Sequence, residues 1–287
     1  MPPDRVASPA FADRRDGRED WPDSLLSART ALERGLPGWP KPGEKPPGPP
    51  VPVPPGRGGA QRIPRPFNAR IGGRPPWADV PAERRHPTVE DVTAALLELG
   101  PPVPSPRESG PRAVRPSAVL APLYDEDGEA NVILTRRTWA LRTHQGEVSF
   151  PGGRVEPGES PEDAARREAK EEIDLDPEAV KVVAELDHLS TITTASFIVP
   201  YVGILPGRPE THPNPDEVDA VLHVSLAELA DPANFREEIW TFPGGQDRSI
   251  FFFELVGDTV WGMTAALLRQ LLGVVTGNLG RGDLGHP

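Results

Sequence analysis

The chain has 287 residues, a formal net charge of −12 and no cysteine, with an isoelectric point near 5.0. That acidity argues against nucleic acid as the main partner, because phosphate backbones are held by clustered Lys and Arg, and the missing cysteine excludes disulfides, thiolate catalysis and zinc–thiolate sites. The N-terminus carries arginines but no apolar segment of the secretory type, and no run approaches the roughly 18 apolar residues that span a bilayer, so the expectation is a cytoplasmic protein without membrane contact.

The first sixty residues hold 14 Pro and 8 Gly, above the roughly 25–30% Pro-plus-Gly content that marks low-complexity chain. Residues 1–87 therefore read as a largely disordered extension, 88–276 as the compact domain and 277–287 as a C-terminal tail. Residues 46–55 read as a polyproline II spacer, with a ligand for a proline-binding module as the alternative. Residues 24–34 have the spacing of a short helix, with Leu25, Ala28 and Leu32 on one face. A firmer helix follows. Thr88 can cap it, Asp91 sits at its third position, Val92, Ala95, Leu96 and Leu99 form its stripe, and Gly100-Pro101 stops it.

Strands are expected over 117–123 and 131–136, joined by the polar turn 125–129, with a short strand over 147–150 entering a glycine loop. Ser160 is a good N-cap with Pro161 behind it, so a helix starts there. Strands follow over 181–187, 197–205, 218–224 and 249–256, and a last helix carries Leu267, Leu268, Leu271, Leu272 and Val275. This alternation gives an α/β domain with one mixed sheet between helices. Phe242-Pro243-Gly244-Gly245 echoes Phe150-Pro151-Gly152-Gly153. No similar helix follows the second copy, so it reads as a hairpin turn.

The most informative stretch is Gly153-Arg154-Val155-Glu156-Pro157-Gly158-Glu159, followed by Arg167-Glu168-Ala169-Lys170-Glu171-Glu172. Glu168, Glu171 and Glu172 share one helix face, where like charges four apart repel by roughly 0.2–0.5 kcal/mol per pair. The acid–base pairs Glu162–Arg166, Asp163–Arg167 and Arg167–Glu171 suit a solvated, salt-bridged face. They leave the crowded carboxylates unexplained. Such a cluster is what a hard divalent cation needs: oxygen ligands, negative charge and room for water and phosphate. Small Ala165 and Ala169 let the helix lie close to a sheet, and Gly152 and Gly153 let backbone approach the metal, where a carbonyl can be a ligand.

This run resembles the Nudix box, on Gly153, Glu159, Arg167, Glu168, Ala169, Glu171, Glu172 and Leu175. One position departs: Asp174 stands where the pattern has Gly, at a helix end with positive φ that Asp tolerates better than most residues. The resemblance implies a Nudix-type α/β/α sandwich with a mixed sheet, preceded here by the Pro/Gly-rich tail, and hydrolysis of a diphosphate with magnesium or manganese (Mg2+ or Mn2+). It implies Glu168 and Glu172 as metal ligands, Glu171 as ligand or general base, Arg167 as the residue that orients a glutamate, and Glu159 as a loop-fixing residue. Glu217 is the candidate for a further carboxylate from outside the box.

Residues 133–153 are similar to the signature of Nudix coenzyme A pyrophosphatases. Ile133 replaces Leu, and Thr138 replaces Ser or Ala. The segment puts Arg136, Arg137 and Arg142 near the metal loop of an otherwise acidic protein, and guanidinium forks suit phosphate oxygens. These arginines, with Gly152, are the candidate substrate contacts; pairing of Arg137 and Arg142 with surface acids is the alternative. His144 reads as a structural hydrogen-bonder, and Trp139 and Leu141 as packing. Weaker likeness at 196–203 and 261–265 extends the resemblance over about 115–275. It implies cleavage of coenzyme A or a derivative to 3′,5′-ADP and 4′-phosphopantetheine or its acyl form. Another nucleoside diphosphate derivative, such as ADP-ribose or a dinucleotide, and a non-catalytic nucleotide sensor are the alternatives. The expected partner is a small molecule. A homodimer and a partner for the tail are left open.

Overall fold

The computed structural model describes residues 36–41, 43–105, 108, 116–141, 144–190, 197–242 and 245–284. The helix expected over 24–34 lies outside them. The main sheet runs in the order β10 (Val218–Ser225), β4 (Glu129–Arg137), β3 (Ser117–Glu126), β9 (Phe197–Ile204), β7 (Lys181–Glu185). Short strands β5 (Val148–Ser149), β6 (Gly152–Arg154) and β8 (Leu189–Ser190) extend β4, β3 and β9. The β3–β9 pair is parallel and the other pairs are antiparallel, so the sheet is mixed. Asp127 and Gly128, both at positive φ, make the two-residue turn between β3 and β4, the conformation that fits strand twist at tight hairpins.

Helix α1 (Val89–Leu97) begins as expected: Thr88 Oγ1 accepts from the Asp91 N–H while the Asp91 carboxylate accepts from the Thr88 N–H. Helix α2 (Pro161–Ile173) is capped by Ser160 and presses Ala164, Ala165, Ala169 and Ile173 against one face of the sheet, in a core with Ala118, Leu120, Ile133 and Val199. Short α3 (Leu226–Ala230) and long α4 (Gly262–Val275) join α1 on the other face, around Val132, Leu134, Val202, Leu268 and Leu272. The α/β/α sandwich is therefore present. Among the described residues no helix is long and apolar enough to cross a membrane.

The structure corrects two expectations. First, the strand expected over 249–256 is not in the main sheet. It is β12 (Asp247–Glu254) of a second, antiparallel sheet ordered β14 (Thr259–Trp261), β12, β11 (Phe235–Thr241), β2 (Arg70–Ile71). The turn at Phe242 does join a hairpin, β11 to β12. Strand β11 itself is hidden in the sequence because its buried face carries Arg236 and Glu238. Those charges are admissible inside because they pair. Glu238 accepts from Arg65, Arg236 and Trp240, and Arg236 also donates to Glu254, which accepts from Thr259. Two arginines and two glutamates cancel, and the Arg236 guanidinium stacks 3.6 Å over the Phe252 ring, so each buried charge has a partner.

Second, within the extension expected over 1–87, the described residues from 36 to 87 are packed chain. This strap lays Trp39 edge-on against Trp240 at 5.9 Å and stacks Trp77 on Phe253 at 6.3 Å. Both rings are buried, as are Gln61 and Arg65. Strap strands β1 (Gly58–Gly59) and β2 pair with β13 (Val256–Gly257) and β11. Residues 46–55 form neither helix nor strand. Proline-rich composition predicted disorder, yet proline also lowers the entropy lost on docking, and two tryptophans supply the burial. The C-terminal segment docks too: Arg281 pairs with Asp187 at 3.0 Å, and Leu284 is buried. Trp77→Ala should cost about 3–5 kcal/mol, the range for emptying a buried aromatic site, measured by denaturant unfolding. A loss under about 1 kcal/mol would separate the strap from the folding unit.

Candidate active site

The site is built where β6, α2 and the end of β4 meet. Strand β6 pairs with β3 through Ala118↔Gly153 and Val119↔Gly152. A Cβ at Gly152 would collide with the Ala118 carbonyl and the Val119 backbone, and a Cβ at Gly153 would collide with the Glu168 carboxylate. The two glycines thus let the loop lie flat on β3 and let Glu168 lie flat on the loop. Glu172, one helical turn on, is buried and faces the same loop, with the Gly152 N–H 3.4 Å from its Oε2. Glu171 points outward, its side chain 57% exposed.

Arg167 ties these groups together. Its guanidinium donates to both carboxylate oxygens of Glu159, at 2.8 and 3.1 Å, to Glu168 at 3.0 Å, to Glu171 at 3.1 Å and to the Arg154 carbonyl at 3.1 Å. Glu159 also accepts from the Glu156 N–H, so it fixes the loop, and the Arg167 fork with that N–H holds its carboxyl below the usual range. Of the expected surface pairs, Glu162–Arg166 and Arg167–Glu171 are present. Asp163 instead binds Ser160, because Arg167 is turned to Glu159. At the helix end Asp174 adopts φ 59° and ψ 26°, the left-handed conformation expected of the substituted glycine position, and pairs with Lys170 at 2.5 Å.

The chain from β9 to β10 closes the far side. The His212 and Asn214 N–H groups donate to the carbonyls of Ile173 and Glu172, at 2.9 and 2.8 Å, satisfying helix-end acceptors that would otherwise lack partners. Glu217 follows, its carbonyl accepting from the Thr138 N–H at 2.8 Å. Its charge reaches the cluster. Burial first, then Glu168 and Glu217, push the Glu172 carboxyl up to about 8 against the opposing pull of Arg137 and the Gly152 N–H. Glu168 is raised by burial and by Glu171 and Glu217, opposed by Arg167.

The upstream arginines divide between the two faces of β4, as successive strand residues must. Arg137 lies on the α2 side, its Nη1 3.9 Å from Glu172 Oε1, and its buried Nε has no hydrogen-bond partner among the described residues. Arg136 lies on the opposite side and is held by Asp219 and Asp258, both at 2.9 Å. The expectation that Arg136 faces the metal loop gives way to a structural ion pair. Arg142 lies outside the described residues. His144 bonds Glu147 at 2.5 Å, the structural part expected of it. Trp139 is 43% exposed and lies across Gly146.

The family's NUDIX domain profile matches residues 114–246. Nudix hydrolase 22, chloroplastic, of Arabidopsis thaliana is 40% identical over 166 residues, 55% of each chain, so the protein spans about half of that relative's length. The uncharacterized Nudix hydrolase NudL of Photorhabdus laumondii is 32% identical over 181 residues, 63% of this chain and 93% of the relative. The chain belongs to the Nudix family. A solved MutT/nudix family protein from Enterococcus faecalis aligns over 66% of this chain and 69% of its own, at 17% identity and a TM-score of 0.37.

A Nudix site implies a divalent cation. Among the described residues no three His, Asp or Glu side chains already surround one ion-sized point; Arg167 draws Glu168 and Glu171 to itself. The donor set nevertheless fits a hard cation. It offers only oxygens, and Glu172 is a buried carboxylate with little beyond a long N–H contact and a guanidinium 3.9 Å away. Burial raises that carboxyl to about 8, and a cation beside it would bring it back down and give its charged form a partner. Sequence reasoning missed Asp219, Asp258 and Gln61, which bond Arg136 at the end of β4 and the Gly146 carbonyl beyond it, outside the box. Each looks like an ordinary polar residue of a turn or linker, and no local spacing marks it. Gly153→Ala should displace the Glu168 carboxylate and cut turnover about 100-fold while the circular dichroism spectrum is kept. Unchanged turnover would mean that this contact does not matter to the site.

Proposed function

We propose that the protein is a metal-dependent Nudix pyrophosphohydrolase that cleaves the diphosphate of coenzyme A or a derivative, releasing 3′,5′-ADP and 4′-phosphopantetheine or its acyl form. The observation that carries this reading is Arg137. It is an arginine of the coenzyme A-like segment with an unpartnered buried Nε, and it stands against the carboxylate cluster. The Arg137 side chain is 30% exposed, so a phosphate oxygen can approach its guanidinium beside the carboxylates.

Glu168 and Glu172, with the Gly153 carbonyl, are the groups that would hold Mg2+ or Mn2+, and Glu217, whose charge acts on both carboxyls, is the candidate from outside the helix to add to them. The cation would offset diphosphate charge and lower the pKa of a bound water. Arg167 keeps Glu168 and Glu171 from swinging apart, so little reorganisation is left for the reaction itself. Glu171, the most exposed of the three, serves as a further ligand or takes the proton from water. Arg137 binds the phosphate oxygens and keeps the substrate diphosphate against the glycine loop, where the flat backbone at Gly152 and Gly153 leaves room. Guanidinium contact with an anionic diphosphate in a partly dry site is strong and directional.

Purified protein incubated with coenzyme A, dephospho-coenzyme A, ADP-ribose and NADH, each with Mg2+ and with Mn2+, should release 3′,5′-ADP fastest by mass spectrometry. Glu172→Gln should lower that rate by roughly 100-fold or more with the fold intact. Cleavage of the other substrates alone would remove the coenzyme A assignment, and binding without any cleavage would make the protein a nucleotide sensor.

A further inference from the structure

Gln61 belongs to the proline-rich strap, 76 positions before Arg137 in the chain, yet its side chain ends inside the frame of the site. The residue is 8% exposed. Its Nε2 donates to the Gly146 carbonyl at 3.0 Å and to Asp258 Oδ1 at 2.6 Å, and its Oε1 accepts from the Thr259 N–H at 3.0 Å. One N–H on the acceptor side and two oxygens on the donor side permit only this orientation of the amide. An apolar side chain here would leave the Gly146 carbonyl and an Asp258 oxygen short of a donor.

Both oxygens lead to the same pair of residues. Gly146 closes the hairpin that β4 and β5 open. Its N–H donates to the Arg137 carbonyl at 3.1 Å, and the Arg137 N–H donates to the Glu147 carbonyl at 2.9 Å. Gly146 sits at φ 64° with the Trp139 ring lying where a Cβ would be, so its peptide is gripped by the indole on one side and by the Gln61 amide on the other. Asp258, the second acceptor, is buried and pairs through its other oxygen with Arg136. Gln61 therefore touches the hairpin base directly and β4 through Asp258. Arg136 and Arg137 are consecutive, one anchored on each face of β4, so a shift at Arg136 moves Arg137.

We infer that the N-terminal strap is part of the substrate-recognition wall, and that Gln61 is the positioning residue by which it sets Arg137 beside the carboxylate cluster. This rests on the reading of Arg137 as a substrate contact. The strap then does more than cover the second sheet, since loss of one buried amide in it loosens the phosphate-binding guanidinium without touching the glutamates. The effect belongs in substrate binding and not in the chemical step.

The test uses the full chain with Gln61→Met, Gln61→Asn and, as a strap control, Arg57→Ala. Arg57 pairs with Glu228, and among the described residues no hydrogen bond or ion pair joins it to the hairpin. Hydrogen–deuterium exchange of the free protein reads the link without any substrate: exchange at Arg137 and Gly146 should rise about tenfold in both Gln61 variants and stay unchanged in Arg57→Ala. Steady-state kinetics on the best-cleaved diphosphate should show KM raised about tenfold with kcat within about twofold, and no further rise when Gln61→Met is added to Arg137→Ala. Unchanged exchange overturns the inference, as does a fall in kcat with KM constant, or a KM effect that persists in the Arg137→Ala background. Faster exchange in a protein that cleaves none of the substrates keeps the strap–hairpin link and removes the hydrolase reading instead.

Discussion

Arg167 gathers Glu159, Glu168 and Glu171 and the Arg154 carbonyl around one guanidinium. A helix presenting three glutamates on one face is unfavourable by itself, and the glycine loop beside it needs an anchor on the helix to hold its shape. The one cation solves both problems: its fork fixes the loop through Glu159, and its remaining N–H groups offset the charge of the helix. Lysine offers a point charge and no planar fork, so it cannot bridge loop and helix in this way. The rest of the site follows from that clamp. Glu168 can lie on Gly153 because the loop is fixed and Gly153 carries no Cβ, and Glu172 is buried facing the same loop.

Strand β4 supplies the second constraint. Its residues alternate between the core under α2 and the core that extends to the second sheet, and its last two residues are both arginines. Arg136 is spent on Asp219 and Asp258, and the pairing pins the strand end. Arg137 is thereby left facing Glu172 with part of its hydrogen-bonding capacity unused. The second sheet and the strap look remote from chemistry, yet Asp258, at the entry to β14, is one of the two acids that hold Arg136, and Gln61 of the strap binds Asp258. The buried Arg65–Glu238–Arg236–Glu254 network fastens the strap to that sheet, and its charges balance within it.

What could be read in the sequence was what is local. The capping box at Thr88 and Asp91, the Ser160 cap, the shared face of Glu168, Glu171 and Glu172, and the left-handed Asp174 each depend on residues within a few positions of one another. The strap and the second sheet depend on partners more than 150 positions apart, such as Arg65 with Glu238 and Gln61 with Asp258. Their signals also point the wrong way: prolines suggest disorder, and Arg236 and Glu238 suggest a surface strand or a loop. Within the site, Glu217 was legible as a carboxylate at a strand entrance, while the division of labour between Arg136 and Arg137 needed the sheet register to decide which face each one takes.

Held against the glycine loop, Glu168 and Glu172 would form a divalent-cation site. The most direct measurement is a Mn2+ titration followed by the electron paramagnetic resonance signal of the free ion, on the wild-type protein and on the Glu168→Gln/Glu172→Gln double variant. The wild type should remove Mn2+ from solution at micromolar to millimolar protein, and the double variant, still folded, should not. Equal binding by the two proteins would contradict this assignment.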